Sequence, residues 1–488
     1  LNRPNILFAI ADDASHMSAY GHRFVHTPNF DRVAQAGMLF MNAFTTNPKC
    51  APSRASLLTG MHTWQLEEAS VHQGIFPAKF KVVPDLLEEA GYFVGYTGKG
   101  WGPGDWKAGG FTRNPAGPEF SSNRLSPPEN TNISAKDYAA NFADFLAQRP
   151  HGQPFYFWYG GHEPHRPYYF GEGARAGKKI EDVDVPPYLP NDDIVKNDLL
   201  DYAYEIEWFD RHLGLMLDQL EEIGELDNTI VVVTSDNGMP FPRVKGQMYE
   251  QDFKLPLAIC WKNAAKGGRK IDDLVSFIDL APTFLEAAGV DKHPQYAGSS
   301  LQSIFQSDRA GRVDDSRNRA FMAKERHDVG REGDVGYPVR CIRTEQYLYV
   351  RNFAPDRWPA GNPETGYSNV DPSPTKELIL TQHEQGEEKY YNLSFGKRPA
   401  EELYHIVDDS ACMNNLAELP EYADLKQSLW NELKEKLEQT GDPRIFGDGD
   451  RFDQYAYTGG GMKTNSWEAY LKGNYVDKNK AHREKYWK

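Results

Sequence analysis

The sequence predicts an α/β protein: a large, mostly parallel sheet flanked by helices on both faces, with a smaller C-terminal α+β subdomain. Strand-length apolar runs alternate with helix-period segments over the first ~330 residues. Several of those runs are apolar throughout, as expected of strands buried on both faces. Near residue 335 the pattern changes to short extended runs, a polar stretch and one helix.

Asn5 to Ala11 (NILFAIA) has the look of a central strand. Thr27-Pro28 opens a helix that Gly37 closes, and MLFMNAF follows as a strand. A helix over Val82 to Ala90 stops at Gly91, before the strand YFVGYT. Gln153-Pro154 introduces the buried run FYFWYG. Between Leu199 and Ile223, Leu200, Ala203, Ile206, Phe209, Leu213, Leu217 and Leu220 recur at helical spacing; Gly224 ends that helix and TIVVVT returns as a strand. LPLAIC and IDLAPTFLEAAGV extend the series. Beyond the expected boundary, PVRCIRT and YLYVRN suit a hairpin, and a polar loop of about thirty residues follows. Glu402-Leu403-Tyr404 resembles a short strand, and Tyr422 to Gln439 has helical period. The expected division is therefore 1–335 and 336–488.

The chain has 488 residues, with 40% hydrophobic, 13% aromatic and 25% charged positions, which argues for a folded rather than a disordered protein. Lys and Arg number 54 against 70 Asp and Glu, a formal charge of −16. That balance excludes a general nucleic-acid binder but permits a small anionic substrate in a local basic pocket. No apolar run nears the ~20 residues that span a bilayer. Cys50, Cys260, Cys341 and Cys412 are far apart and form no CxxC pair, so neither a zinc site nor a dense disulfide scaffold is expected. The chain begins at Leu1 without Met or signal peptide, the expectation for a mature or trimmed form. An exported location, periplasmic, secreted or lysosomal, is expected, with the leader absent from this chain.

In open α/β sheets, ligands collect beyond the carboxyl ends of the strands. Asp12-Asp13 follows the first strand, Lys99 follows YFVGYT, His162 follows FYFWYG, and Asp236-Asn237 follows TIVVVT. Carboxylate and amide oxygens from two strand ends suit Ca²⁺ or Mg²⁺. Each pair alone is also a good turn or cap sequence; convergence on one sheet edge favours the functional reading. In Cys50-Ala51-Pro52-Ser53-Arg54, Pro52 can sit in the first turn of a helix running to Gly60. Cys50 then lies at the helix N-terminus, where free N–H groups favour an anion, and Arg54 offers a planar fork for oxyanions.

The stretch CAPSRASLLTG resembles the sulfatase signature, with Cys, Pro, Ser, Arg and the LLTG close all present. The likeness extends from RPNILFAIADD through TSDNG to ELY and NLAE, and implies the alkaline phosphatase superfamily fold. It implies further that Cys50 is converted to Cα-formylglycine by a formylglycine-generating or anaerobic sulfatase-maturating enzyme. Asp12, Asp13, Asp236, Asn237 and the modified Cys50 then match the Ca²⁺ ligands (Mg²⁺ being the alternative). Arg54, Lys99 and Lys245 match the cations that hold the sulfonate, Asp13 is a base, and His162 is an acid toward the leaving oxygen. One departure stands out: relatives often carry histidine two residues after the lysine, where this chain has Trp101. Trp101 is either a sugar-stacking wall or a core residue, and His72, His165 and Arg166 are candidate substrate contacts. The implied substrate is a sulfated saccharide, attacked as an O-sulfate by an exo-acting enzyme. The alternatives are an N-sulfoglucosamine sulfohydrolase, a phosphonate or phosphate-ester hydrolase of the superfamily, and a catalytically silent glycan binder.

Overall fold

The computed structural model describes residues 3–487. Seven strands form the main sheet: β1 (Asn5–Ala11), β2 (Met38–Phe44), β3 (Phe93–Gly98), β4 (Phe155–Gly160), β5 (Thr229–Ser235), β6 (Lys254–Cys260) and β7 (Arg269–Ser276). Their order is β3-β4-β1-β5-β6-β2-β7. Only β6 runs against the rest, pairing antiparallel with both β5 and β2. The carboxyl ends of β3, β4, β1 and β5 therefore lie side by side along one edge.

The sheet divides the core in two. Leu7, Ala9 and Ala11 of β1 face one cluster, together with Phe155, Phe157 and Tyr159 of β4. Ile6, Phe8 and Ile10 face the other, with Tyr156 and Trp158. This period-2 division explains the unbroken apolar runs, since both faces need burial. On the first face lie α1 (Pro28–Ala36), α4 (Tyr138–Gln148) and α6 (Asp193–Glu222); on the second lie α2 (Cys50–Thr59), α3 (Val83–Glu89) and α8 (Leu280–Ala287). Two short helices, α5 (Glu172–Arg175) and α7 (Glu250–Phe253), complete this series. The long helix α6 starts earlier than its apolar period suggests, because the Asp192 side chain accepts a bond from Ile194 N and caps it.

Strands β8 (Ala320–Lys324), β9 (Val339–Arg343), β10 (Tyr347–Asn352) and β11 (Glu401–His405) form a second, antiparallel sheet in the order β11-β10-β9-β8. Met322, Val339, Cys341, Leu348, Val350 and Tyr404 on one face pack with Phe44, Phe253 and Leu274 of the larger unit. Ala323, Ile342, Tyr349 and Leu403 on the other pack under Leu429, Leu433 and Leu437 of the helix Ala423–Gln439. The expected boundary at residue 335 falls inside this sheet, between β8 and β9. AFMAK is short and runs into the charged stretch ERHDVGREGD, so it shows no strand pattern of its own. The polar stretch after Asn352 is also less of a loop than expected: Ser373 caps the helix Pro374–Glu384 through Lys376 N. Among the described residues no helix is long and apolar enough to cross a membrane.

Candidate active site

The helix α2 is set against the sheet edge by its own first turn. Ser53 Oγ donates to Asp236 O at 2.6 Å and lies 2.8 Å from Thr45 Oγ1, while Gly60 closes the helix with φ +63°. This places Cys50 beside the ends of β1 and β5. Its Sγ is 3.4 Å from Asp12 Oδ1 and 3.8 Å from Asp13 Oδ1. Ligand atoms of Asp12, Asp13, Cys50 and Asp236 all lie within 4.8 Å of one another, and all four residues are buried. Asp13 takes a left-handed φ of +77°, which turns its N–H onto Asp236 Oδ1 at 3.1 Å.

Each carboxylate in the cluster has a fixed cation. Lys99 Nζ is 2.6 Å from Asp12 Oδ2, and Lys245 Nζ is 2.6 Å from Asp13 Oδ2. Arg54 Nε is 2.8 Å from Asp236 Oδ2, and its Nη1 donates to the carbonyls of Lys99 and Gly100 at 2.8 and 3.1 Å. Burial works against the charge on Asp12, but Lys99, His165, Arg54 and Lys245 hold it well below the usual carboxylate range. Burial pushes the Cys50 thiol well above its ordinary value, with Asp12 and Asp236 adding to the shift and Lys99 and Lys245 opposing it. As a plain cysteine, residue 50 is therefore a protonated thiol and a poor nucleophile.

The donor set fits a hard divalent cation. Three carboxylates crowd one buried point, and burial, opposed by Arg54, pushes Asp236 up to about 6. Asn237 donates its Nδ2 to Asp13 Oδ1 at 2.8 Å, while its Oδ1 is buried without a hydrogen-bond partner. Apart from the Cys50 thiol the donors are oxygens, one of them an orphaned amide oxygen, a set that suits Ca²⁺ or Mg²⁺.

Above the cluster opens a cavity of about 630 Å³, within the range of small-molecule sites. Lys99, Lys245, His162 and His165 line it. Burial pushes His162 down to about 3, so its imidazole is neutral in the free site. His165 Nε2 is 3.9 Å from Asp13 Oδ2. His72 also lines the cavity, with Nδ1 2.7 Å from Asp328 Oδ1. Arg166 reaches the cavity wall, but its guanidinium pairs with both oxygens of Asp198 (2.7 and 2.8 Å) and with Pro240 O (2.7 Å). Those bonds take three of its five N–H donors and fix the guanidinium in the wall. Trp101 is not a sugar wall. Its ring packs on Phe76 and its Nε1 donates to Ala51 O at 3.0 Å, because the chain turns that side chain behind α2.

The charged residues of the cavity wall that sequence reasoning passed over are Lys49, Glu163, Glu205, Asp328 and Asp371. Asp371 Oδ2 is 3.0 Å from Lys245 Nζ, which thus sits between two carboxylates. Lys49 and Glu163 adjoin Cys50 and His162 in the chain, a signal that was available. Asp328 and Asp371 come from irregular segments with no such marker.

With a helix N-terminus, a crowded oxygen cluster and three fixed cations at one sheet edge, the class of protein is that of anion-ester hydrolases built on an alkaline-phosphatase-like sheet. A family model described as Sulfatase matches residues 4–290, more than half of the chain. The chain belongs to the sulfatase family, hydrolases of sulfuric esters. A second model, described as N-sulphoglucosamine sulphohydrolase, C-terminal, matches residues 244–359. Similar curated proteins include an ulvan-active sulfatase of Formosa agariphila, 26% identical over 90% of this chain and 76% of that protein. The N-sulphoglucosamine sulphohydrolase of Homo sapiens is 28% identical over 90% of this chain and 91% of its own. Among solved structures, a protein in complex with its substrate D-glucosamine-2-N,6-O-disulfate shares the fold with a TM-score of 0.62 and 22% identity, over 90% of this chain and 98% of that one. The phosphonate monoester hydrolase of Agrobacterium radiobacter shares it with a TM-score of 0.62 and 18% identity, over 90% and 96%.

Proposed function

We propose that this sulfatase removes sulfate from a sulfated saccharide, using a formylglycine made from Cys50. The observation that carries the reading is the packing of residue 50 against Asp12 and Asp13, with Asp12 lining a cavity that Lys99 and Lys245 also line. Formylglycine, as its hydrate, supplies a hydroxyl nucleophile toward sulfur, and a divalent cation on Asp12, Asp13, Asp236 and Asn237 supplies Lewis acidity. Lys99 and Lys245 hold the sulfonate oxygens, and their carboxylate partners fix both ammonium groups before substrate arrives. Arg54 and the N–H groups that open α2 add fixed positive potential where charge develops. Asp13 is placed to take a proton from the side chain at residue 50. His162 is the group we assign to protonating the leaving oxygen; an anionic ester bound beside it favours its charged form.

The saccharide reading is supported by relatives rather than by this cavity: three of those named above are an ulvan-active sulfatase, an N-sulphoglucosamine sulphohydrolase and a protein whose substrate is a glucosamine disulfate. The match to the N-sulphoglucosamine sulphohydrolase C-terminal model favours a second reading, cleavage of an N-sulfate. Enzyme produced together with a sulfatase-maturating enzyme, and assayed on position-defined O- and N-sulfated glucosamines, a phosphodiester and a phosphonate ester, separates these. Preferred release of sulfate from a saccharide supports the proposal; preference for a phosphorus ester overturns it. Cys50→Ala should abolish turnover with the fold intact.

A further inference from the structure

The cavity lined by Lys99 and Lys245 has a further built wall. His72, Asp328 and Lys49 all line it. His72 is 5% exposed, Asp328 4% and Lys49 2%. Asp328 accepts from both neighbours: Oδ1 lies 2.7 Å from His72 Nδ1, and Oδ2 lies 2.9 Å from Lys49 Nζ. The backbone holds the pair in register, since His72 N donates to Arg326 O at 3.1 Å and Asn369 Nδ2 donates to Asp328 O at 3.1 Å.

A carboxylate only accepts, so the proton of the imidazole sits on Nδ1 and Nε2 carries a lone pair. Burial, opposed by Asp328, holds His72 below its ordinary value, which keeps the ring neutral and Nε2 an acceptor. That Nε2 is buried and has no hydrogen-bond partner among the described residues. Such an orphan is uncommon in native proteins and persists where a ligand or ordered solvent completes it. The chemistry that completes a neutral imidazole nitrogen is a hydroxyl donor, and a saccharide carries several beside its sulfate.

Resting on the saccharide sulfatase reading above, we propose that His72, set by Asp328 and Lys49, is a specificity-determining residue. Its Nε2 accepts a hydrogen bond from a hydroxyl of the sugar that bears the scissile sulfate. Residue 101 contributes nothing to this contact, because Trp101 is turned into the core.

The test compares matured wild-type enzyme with His72→Ala and His72→Gln on two probes: the best monosulfated glucosamine and 4-nitrophenyl sulfate, which has no sugar hydroxyl. We expect kcat/KM on the sugar to fall about tenfold or more in His72→Ala, equivalent to about 1.4 kcal/mol, mostly through KM. His72→Gln, which keeps an acceptor, recovers part of the loss. On 4-nitrophenyl sulfate the loss in His72→Ala is several-fold smaller than on the sugar. Equal losses on both probes, or no loss on the sugar, overturn the proposal. Monodeoxy analogues of the sugar supply a check that needs no variant: one of them should lose the same factor with wild-type enzyme, and uniform rates across the series contradict the contact. Wild-type enzyme inert toward every sulfate ester instead overturns the functional reading on which the proposal stands.

Discussion

At residue scale, the site works by pairing each charge before substrate arrives. Lys99, Lys245 and Arg54 have each lost water, and the carboxylates of Asp12, Asp13 and Asp236 replace it at 2.6 to 2.8 Å. Reorganisation that water would undergo during reaction is thereby avoided. His162 differs, because burial leaves it neutral in the free site. If it protonates the leaving oxygen, its removal should matter more as the leaving group becomes more basic. Across a series of aryl sulfates, His162→Ala should steepen the dependence of log kcat/KM on leaving-group pKa. An unchanged slope, with all rates lowered equally, removes the acid assignment.

At the scale of elements, the ends of four adjacent strands and the start of one helix carry nearly everything. Their spacing depends on close backbone contact. A Cβ on Gly160 would stand 1.8 Å from Lys99 O, and one on Gly98, whose φ is +79°, would stand 1.9 Å from Gly160 O. Gly160→Ala should therefore force β3 and β4 apart where Lys99 leaves the sheet. Displacement of about 1 Å typically costs about 10²-fold in rate, so we expect kcat/KM to fall by about that factor. A crystal structure of the variant should show Lys99 Nζ withdrawn from Asp12; wild-type activity would show that the strand-end contact is not needed.

The same elements explain what the sequence made legible. β1, β4 and β5 announce themselves because they are buried on both faces, and their following residues are the site. β7 is an edge strand in which Arg269, Lys270, Asp272 and Asp273 interrupt the apolar pattern, so it carries no comparable signal. β8 is hidden because it runs directly into the charged segment ERHDVGREGD. In the site, Asp12, Asp13, Lys99, His162 and Asp236 follow strands, whereas Asp328 and Asp371 reach the cavity from segments whose course depends on tertiary contacts. One such contact is Lys376, whose ammonium gathers the carbonyls of Gly366, Tyr367 and Val370 just before Asp371. No local pattern encodes that arrangement.

At the scale of the whole molecule, buried acids and buried histidines pull the response to pH in opposite directions. Burial pushes Glu163 and Asp201 up to about 7 and Asp210 up to about 6. Burial, with Asp201 close by, takes Glu172 up to about 9. A carboxyl whose folded pKa is raised binds its proton more tightly than the unfolded chain does. Stability is then full below the unfolded value, near 4, and falls as pH rises toward the folded value. Buried histidines such as His162 and His212, whose folded values lie below the unfolded one, contribute with the opposite sign up to about pH 7. The acids are therefore tested one at a time. The melting temperature of Glu172→Gln relative to wild type should rise from pH 5 to pH 8, measured with the divalent cation at a fixed saturating concentration. A difference independent of pH would show that Glu172 is not buried and protonated as described.

All of this depends on residue 50 acting as an aldehyde-derived nucleophile within the Asp12–Asp13–Asp236 cluster. The direct measurement is the rate of sulfate release against the fraction of residue 50 in the formylglycine form, with that fraction varied through the maturating enzyme and quantified by peptide mass spectrometry. A straight line through the origin is expected. A rate that persists when residue 50 is entirely cysteine, or that does not follow the aldehyde fraction, would contradict it.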